Sequence, residues 1–206
     1  MVRGLYTAYT GMSNEQKRLD IIANNLANAA TVGYKKEKVT NQAFDDVLTR
    51  KIRDESVAYN NRPIGRMSLG VKLGESYTSH SQGSLRQTGQ PYNLALEGKG
   101  FFTVSVTDRV GNTDNKYTRS GLFTMTKDGY IVDTDGNHLM GESGEVQIPT
   151  DSIDVVVDST GAIYADGNYV DTLLLADFDD YDYLIKSGDT MYEALEGALT
   201  IPATAS

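Results

Sequence analysis

An apolar stripe at helical spacing runs through the first 31 residues, and no other segment of the sequence matches it. Its positions alternate by three and four residues, as the a and d positions of a coiled coil do, with one interruption at Glu15. The stripe consists of Leu5, Ala8, Met12, Leu19, Ile22, Leu26 and Ala29. We predict a helix from about Arg3 to Thr31, ended by Gly33, a suitable residue for a left-handed cap.

This helix needs a partner, because most helix stability in proteins comes from tertiary packing. Residues 35–206 contain no second long heptad segment, and the last candidate, Met191–Leu199, is short and interrupted by Gly197. The predicted far face of the helix is polar, with Asn14, Gln16, Lys17, Asp20 and Asn24. The partner is therefore the remainder of the chain, another chain, or sequence beyond Ser206, and the pattern favours assembly.

From about Val71 onward the pattern changes to short alternating runs separated by turn signals. The turn signals are Gln82-Gly83, Asp128-Gly129, Asp135-Gly136-Asn137, Ser159-Thr160-Gly161 and Asp166-Gly167. The strand-like runs are Gly100–Val106, Leu122–Thr126, Tyr130–Val132, Ile153–Val157 and Thr172–Phe178. We therefore predict a mainly β fold, a β-rich domain of short hairpins with a long amino-terminal α-helix. The predicted divisions are the helix over 1–33, a connector over 34–80 with a possible helical turn at Gln42–Leu48, and a β-rich outer domain over 81–206.

Charge and composition exclude several classes of function. The chain holds no cysteine, which rules out disulfides and thiolate metal sites. Residues 121–206 carry 2 Lys/Arg against 17 Asp/Glu, and this negative charge opposes binding to the phosphates of nucleic acid. The amino terminus lacks the apolar run of a signal peptide, and no span of about 18 apolar residues is present. The residues thus support neither Sec export nor membrane insertion.

No residue pattern carries catalytic or metal-binding chemistry. The two histidines, His80 and His138, lie outside any nucleophile or metalloprotease motif, and we interpret them as surface or loop residues. Asp133–Asn137 has its glycine at the fourth position rather than the sixth, so a hairpin turn explains it better than a calcium loop. Residues 98–100 lack the remainder of a phosphate loop, and we interpret the acidic run Asp177–Asp182 as a solvated loop. We expect no catalytic residue, metal, cofactor or small-molecule substrate.

Three ordered blocks of the sequence resemble a known family. The first block is MVRGLYTAYTGMSNEQKRLDIIANNLANAATVGYKK, which closely resembles the amino-terminal signature of the bacterial flagellar axial proteins. The other two are QGSLRQTGQPYNLALEGKGFFTV and YTRSGLFTMTKDGYIVDTDGNHLMG, which are similar to the blocks that mark the flagellar basal-body rod proteins. The likeness extends more thinly through Leu173–Phe178 and Gly188–Glu193. It covers nearly the whole chain and is highly specific.

The resemblance implies a structural subunit of the bacterial flagellar rod. Such proteins are exported unfolded through the flagellar type III apparatus, without a cleaved signal peptide, and assemble helically in the basal body with copies of themselves and other rod and hook subunits. They have a terminal helical domain built from both chain ends, whereas these residues stop at Ser206 without a second long helix. We therefore expect the amino-terminal helix of this chain to be mobile or aberrantly packed in a monomer.

We predict a subunit interface on this helix. Its apolar part, called the seam below, consists of Leu5, Met12, Leu19, Ile22 and Leu26. Asn24, Asn25 and Asn28 are candidates for hydrogen bonds between close-packed helices. Phe44–Leu48 and Gly70–Gly74 are more similar to the distal-rod protein than to the proximal one, although residues 49–70 are short for the distal type. This comparison favours the distal rod.

A competing hypothesis from another class is a secreted carbohydrate-binding or adhesin module. The chain has 13 tyrosines on a β-rich scaffold, and tyrosine rings stack on sugars. This hypothesis leaves the heptad helix and the three ordered blocks without an explanation, so the structural subunit is the preferred interpretation.

Overall fold

The fold consists of one long helix and many short antiparallel strands. A computed structural model describes residues 2–50, 63–108 and 111–202. The chain divides into two compact units. The amino-terminal unit comprises Met1–Ala27 and Lys36–Ser79, and the β unit comprises Asn28–Lys35 and His80–Ser206. These two names are used below. The predicted mainly β architecture with one amino-terminal helix is confirmed.

The amino-terminal unit packs one helix against a two-stranded ribbon. Its elements are α1 (Val2–Ala27), β1 (Glu37–Ala43), β2 (Val47–Arg50), β3 (Pro63–Met67) and β4 (Val71–Thr78). Strand β1 pairs antiparallel with β4, β2 pairs antiparallel with β3, and the helix lies against β1 and β4. The helical turn predicted at Gln42–Leu48 is wrong, because the ends of that segment belong to β1 and β2 and pair with strands further along the chain.

The β unit contains the remaining strands. They are β5 (Phe101–Thr107), β6 (Thr113–Thr118), β7 (Thr124–Met125), β8 (Ile131–Val132), β9 (His138–Gly141), β10 (Gly144–Glu145), β11 (Val155–Val157), β12 (Ala162–Ala165), β13 (Asn168–Thr172), β14 (Leu175–Phe178), β15 (Leu184–Ser187), β16 (Met191–Ala194) and β17 (Thr200–Pro202). Among the described residues, the largest sheet runs β15-β16-β6-β5-β9-β8-β7, with β14 also pairing with β5. Strands β11, β12 and β13 form a separate sheet.

Strand β5 contributes side chains to two apolar cores, because successive side chains of a strand point to opposite faces. Phe102 and Val104 belong to the larger core, with Leu139, Ile148 and Ile163. Phe101 belongs to the smaller core, which also contains Ala176, Phe178 and Tyr192. All these residues lie in the β unit. The described part of the amino-terminal unit contributes no fully buried apolar residue, and side-chain hydrogen bonds join its helix to the ribbon.

Each predicted strand-like run contains at least part of an observed strand, and the extent of the match varies. The run Gly100–Val106 corresponds to β5, whereas Thr172–Phe178 is divided between the end of β13 and β14. Met191–Leu199, considered above as a helix candidate, begins with β16 instead. Within the described residues, no helix combines the length and apolar character that a membrane span requires.

The location of the cores predicts unequal protection against amide hydrogen exchange. In the dilute chain, amides of β5 and β6 should exchange at least about a hundredfold more slowly than those of Leu5–Leu26, because local opening is cheapest where few apolar side chains are buried. Exchange read residue by residue by NMR measures the difference. Equal protection of α1 and β5 would show that the polar contacts of the amino-terminal unit stabilise it as strongly as an apolar core does.

Candidate assembly interface

The seam of helix α1 is exposed along its whole length. Leu5, Met12, Leu19, Ile22 and Leu26 are each between 49% and 74% exposed. Tyr6 and Tyr9 on the same helix are also exposed. Contiguous exposed apolar surface of this kind marks an interaction site in a soluble protein. The seam is therefore the main candidate for a functional surface in the amino-terminal unit.

The polar side of α1 is the one that packs against the chain's own strands. Asn14, which the sequence pattern assigned to the far polar face, is only 4% exposed, and its Nδ2 donates to Oδ1 of Asn41 in β1 at 3.2 Å. Asn25 forms two bonds with the backbone of Glu37: its Nδ2 donates to the carbonyl at 2.9 Å, and its Oδ1 accepts from the N–H at 3.0 Å. The Asn25 amide thus acts as a strand partner at the start of β1.

Helix geometry explains why this docking leaves the seam exposed. Successive residues turn about 100° around an α-helix, so Asn14 and Asn25 lie roughly 130° away from the middle of the seam. A glycine permits the close approach on the docked side, since a Cβ on Gly70 would overlap the Thr10 side chain. The helix cannot present both faces to the same ribbon, and the polar face occupies it.

The three predicted interface asparagines lie in different surroundings. Asn24 is exposed, Asn25 faces β1, and Asn28 follows the end of the helix. The carbonyl of Asn28 accepts from the N–H of Thr31 at 3.1 Å, and its Oδ1 accepts from the Thr31 hydroxyl at 3.1 Å. The helix ends at Ala27 rather than at Thr31 because this turn replaces its last residues. Contacts of these asparagines with other subunits remain a prediction.

A cluster in the β unit was missed by the sequence reasoning. His80 lies in a loop, as expected, but it is partly buried: its ring lies 4.7 Å from that of Tyr181 and 5.4 Å from that of Tyr192, measured between centroids. Burial, and then the positive charges of Lys35 and Arg119, lower the pKa of His80 from 6.5 to about 4. Burial also lowers the pKa of Lys35, with a further contribution from Arg119. Three basic side chains from separate parts of the sequence therefore meet here.

Two short motifs from the first and third resembling blocks, GYK (Gly33–Lys35) and YTR (Tyr117–Arg119), bring this cluster together. Gly33 has a φ of 77°, and a Cβ there would clash with the backbone of Arg119 and Ser120. The Lys35 ammonium donates to the carbonyl of Ser81 at 2.9 Å. Arg119 donates from Nη2 to the carbonyl of Gly98 at 2.6 Å, and its guanidinium carbon lies 5.3 Å from the centre of the Phe101 ring. Both motifs were visible in the sequence, but their contact was not.

The other polar motifs have structural roles. Asp133 closes the turn between β8 and β9, where its Oδ1 accepts from the N–H groups of Asp135 and Asn137, so the hairpin interpretation is confirmed. Residues 98–100 precede β5, and Asp177 accepts from the Tyr181 hydroxyl at 2.8 Å. His138 contacts Glu145 at 2.7 Å. The described residues include no group of three acidic or histidine side chains arranged to hold a metal ion.

Comparisons with known proteins agree with this architecture. Residues 5–35 match the family model for flagella basal body rod protein, and residues 95–165 match the flagellar hook protein FlgE/F/G D1 domain. The chain is 34% identical to the flagellar basal-body rod protein FlgG of Bacillus subtilis, over 93% of this chain and 73% of that protein. It is 33% identical to the FlgG of Agrobacterium fabrum, again over 93% of this chain and 73% of that protein. The flagellar hook protein FlgE of Treponema pallidum is 31% identical over 64% of this chain and 27% of that protein.

The fold and the matches define a structural protein of the flagellar axial class rather than an enzyme. The matched residues 5–35 include most of helix α1, and the matched residues 95–165 lie within the β unit. The chain belongs to the flagellar basal-body rod protein family. Membership in this family explains the three ordered sequence blocks and leaves the adhesin hypothesis without support.

The His80 cluster predicts a specific pH dependence of stability. Its pKa is lower in the folded chain than the ordinary 6.5, so the unfolded chain binds more protons between pH 6.5 and about 4. The contribution of His80 to the free energy of unfolding is therefore fully present above pH 6.5 and is lost as the pH falls through about 4. After allowance for solvent screening we expect a loss of about 1–2 kcal/mol.

Urea unfolding of the wild type and of His80→Gln at several pH values measures this contribution. The difference in unfolding free energy between the two proteins should change across pH 6.5 to 4, because the glutamine does not titrate. His80→Asn is a second variant without a titrating ring and should give the same profile as His80→Gln. A His80→Gln profile parallel to the wild type would contradict the assigned role of this ring.

Proposed function

We propose that this protein is a rod subunit that assembles helically with copies of itself and with other rod and hook subunits. One observation carries the proposal: the seam is exposed, and the opposite face of α1 is already occupied by β1 and β4. Burial of each large seam side chain would contribute on the order of 1.5–3 kcal/mol. Five such residues per subunit line one face of the helix, interrupted only at Glu15, and this face is available to neighbouring helices.

The proposed assembly is helical because one exposed helix face can pack against a different surface of the next subunit. If the seam packs against a different surface on the next subunit, the contact is heterologous, and repetition by a rotation that does not close gives a filament. A stiff, repeated interface of this kind is what torque transmission in flagellum-dependent motility requires. In this proposal Asn24, which is exposed on α1, adds hydrogen bonds to a neighbouring helix. The Asn25 amide is already paired with Glu37, and Asn28 lies beyond the end of the helix, so these two would contribute only through their remaining donors and acceptors.

The proposed position is the distal part of the rod rather than the proximal part. The two segments that resemble the distal-rod protein, Phe44–Leu48 and Gly70–Gly74, are neighbours in the amino-terminal unit. The N–H of Phe44 donates to the carbonyl of Gly70 at 3.0 Å, and the Ser68 hydroxyl donates to the carbonyl of Phe44 at 3.0 Å. Their proximity supports treating them as one structural feature. Complementation of strains that lack either rod protein distinguishes the two positions.

The proposed destination is the flagellar basal body, reached through the flagellar type III export apparatus without a cleaved signal peptide. Family membership supports this route. The chain has no cysteine, so no disulfide would have to be broken before an unfolded chain enters a narrow channel.

Replacement of two seam residues by aspartate tests the assembly. Leu19→Asp with Ile22→Asp should abolish self-assembly and motility, because burial of an unpaired carboxylate in the interface is strongly unfavourable. The β unit should stay folded, since neither residue belongs to its cores. Sedimentation velocity and a swimming assay measure the two effects, and near-ultraviolet circular dichroism checks the fold of the β unit.

Gln42→Asp with Ser76→Asp is the matched control, because it adds the same two negative charges at exposed positions of the same unit that lie outside α1. This control should assemble and support motility. A motile strain that carries the seam double variant would refute the proposal.

A further inference from the structure

A groove of about 200 Å³ in the β unit is lined by two cationic side chains. Lys35 and Arg119 both line it, and the segment around Gln82 and Gly83 also contributes to the wall. Lys35 is only 9% exposed. The groove lies wholly within the β unit, so its geometry depends on the packing of the GYK motif on the YTR motif.

Neither cation has a carboxylate partner among the described residues. Lys35 donates to the Ser81 carbonyl, and Arg119 donates to the Gly98 carbonyl and, at 3.5 Å, to Oε1 of Gln82. The Nε of Arg119 and the Nδ1 of His80 are buried and have no hydrogen-bond partner among the described residues. A buried charge without an ion pair costs free energy, so Lys35 and Arg119 are favourable sites for an anion.

The groove is cationic, although the β unit that contains it is strongly acidic. Counted on the sequence, the β unit holds 8 Lys/Arg and 20 Asp/Glu. Asp177 is the acidic group that acts on Arg119, but its Oδ1 already accepts from the Tyr181 hydroxyl and from the N–H of Phe178. The acidic unit thus carries a cationic groove that has no counter-ion at ion-pair distance among the described residues.

We propose that the Lys35–Arg119 groove is a carboxylate-binding site that receives an Asp or Glu side chain from a neighbouring copy of the chain. The class of ligand follows from the planar guanidinium and the nearby ammonium, since such groups recognise carboxylates with charge-assisted hydrogen bonds. The source follows from the charge of the β unit, whose 20 acidic residues supply carboxylates on each copy. This identification of the source rests on the proposed assembly, whereas the binding chemistry does not.

Removal of the Lys35 charge should have opposite effects on the stability of the monomer and on its affinity for a carboxylate. Lys35→Met keeps most of the apolar stem and removes the ammonium. In the monomer this change should leave the melting temperature unchanged or raise it, because a buried charge without an ion pair disappears. A lysine with a purely structural role would give the opposite result. Lys127→Met is the matched control, because Lys127 is an exposed lysine of the same unit outside the groove.

The first experiment titrates the chain with succinate at constant ionic strength and follows the amide signals of Lys35, Gln82 and Arg119 by NMR. Succinate should shift these signals in the wild type and in Lys127→Met. In Lys35→Met the affinity should fall at least about tenfold, as expected for loss of a charge-assisted hydrogen bond. Lys35→Arg should restore it. No saturable shift in the wild type, or tighter binding of inorganic phosphate than of succinate, would overturn the proposed chemistry.

The second experiment measures self-association of the same proteins by sedimentation velocity. Lys35→Met should weaken it at least about tenfold relative to Lys127→Met. Succinate binding combined with unchanged self-association would overturn the neighbouring copy as the source and leave a site for a free anion. If the wild type does not self-associate at all, the proposed assembly fails, and the succinate titration still decides whether the groove binds carboxylates.

Discussion

Two asparagine side chains determine which face of the long helix is exposed. Asn14 reaches Asn41, and Asn25 pairs with the backbone of Glu37, so the ribbon of β1 and β4 holds the polar side of α1. Amide side chains suit this purpose because each has donors and an acceptor. The apolar seam is consequently directed away from the ribbon. The chain's own fold therefore orients the surface that we propose for assembly.

In the β unit, apolar packing takes the place that side-chain hydrogen bonds have in the amino-terminal unit. Its two cores are apolar and lie on opposite faces of β5, and the signature motifs pack beside them. Each residue of the GYK motif makes its own contact: Gly33 lies against the backbone of Arg119, the Tyr34 ring lies 4.2 Å from the Lys186 ammonium, and Lys35 bonds to Ser81. Gly33 and Tyr34 thus anchor the motif in the β unit, and Lys35 supplies one of the two cations of the groove.

Local patterns in the sequence predicted individual helices and strands better than the contacts between distant segments. The helix and the strand at Gly100–Val106 follow from periodicities of 3.6 and 2, which are read within a few residues. Gln42–Leu48 also has apolar residues at helical spacing, but β4 and β3 supply its partners from further along the chain, so the prediction was wrong. The burial of Asn14 and the meeting of Lys35, His80 and Arg119 depend on such distant pairings and could not be predicted locally.

The central claim is that the exposed seam becomes buried when subunits assemble. Because the chain has no cysteine, Met12→Cys places one thiol in the seam, and Gln42→Cys places one at an exposed position outside it. The rate of maleimide modification is measured in the dilute and the assembled protein. We predict that assembly slows modification of Met12→Cys at least about tenfold more than that of Gln42→Cys. Equal rates for Met12→Cys in both states would contradict the account.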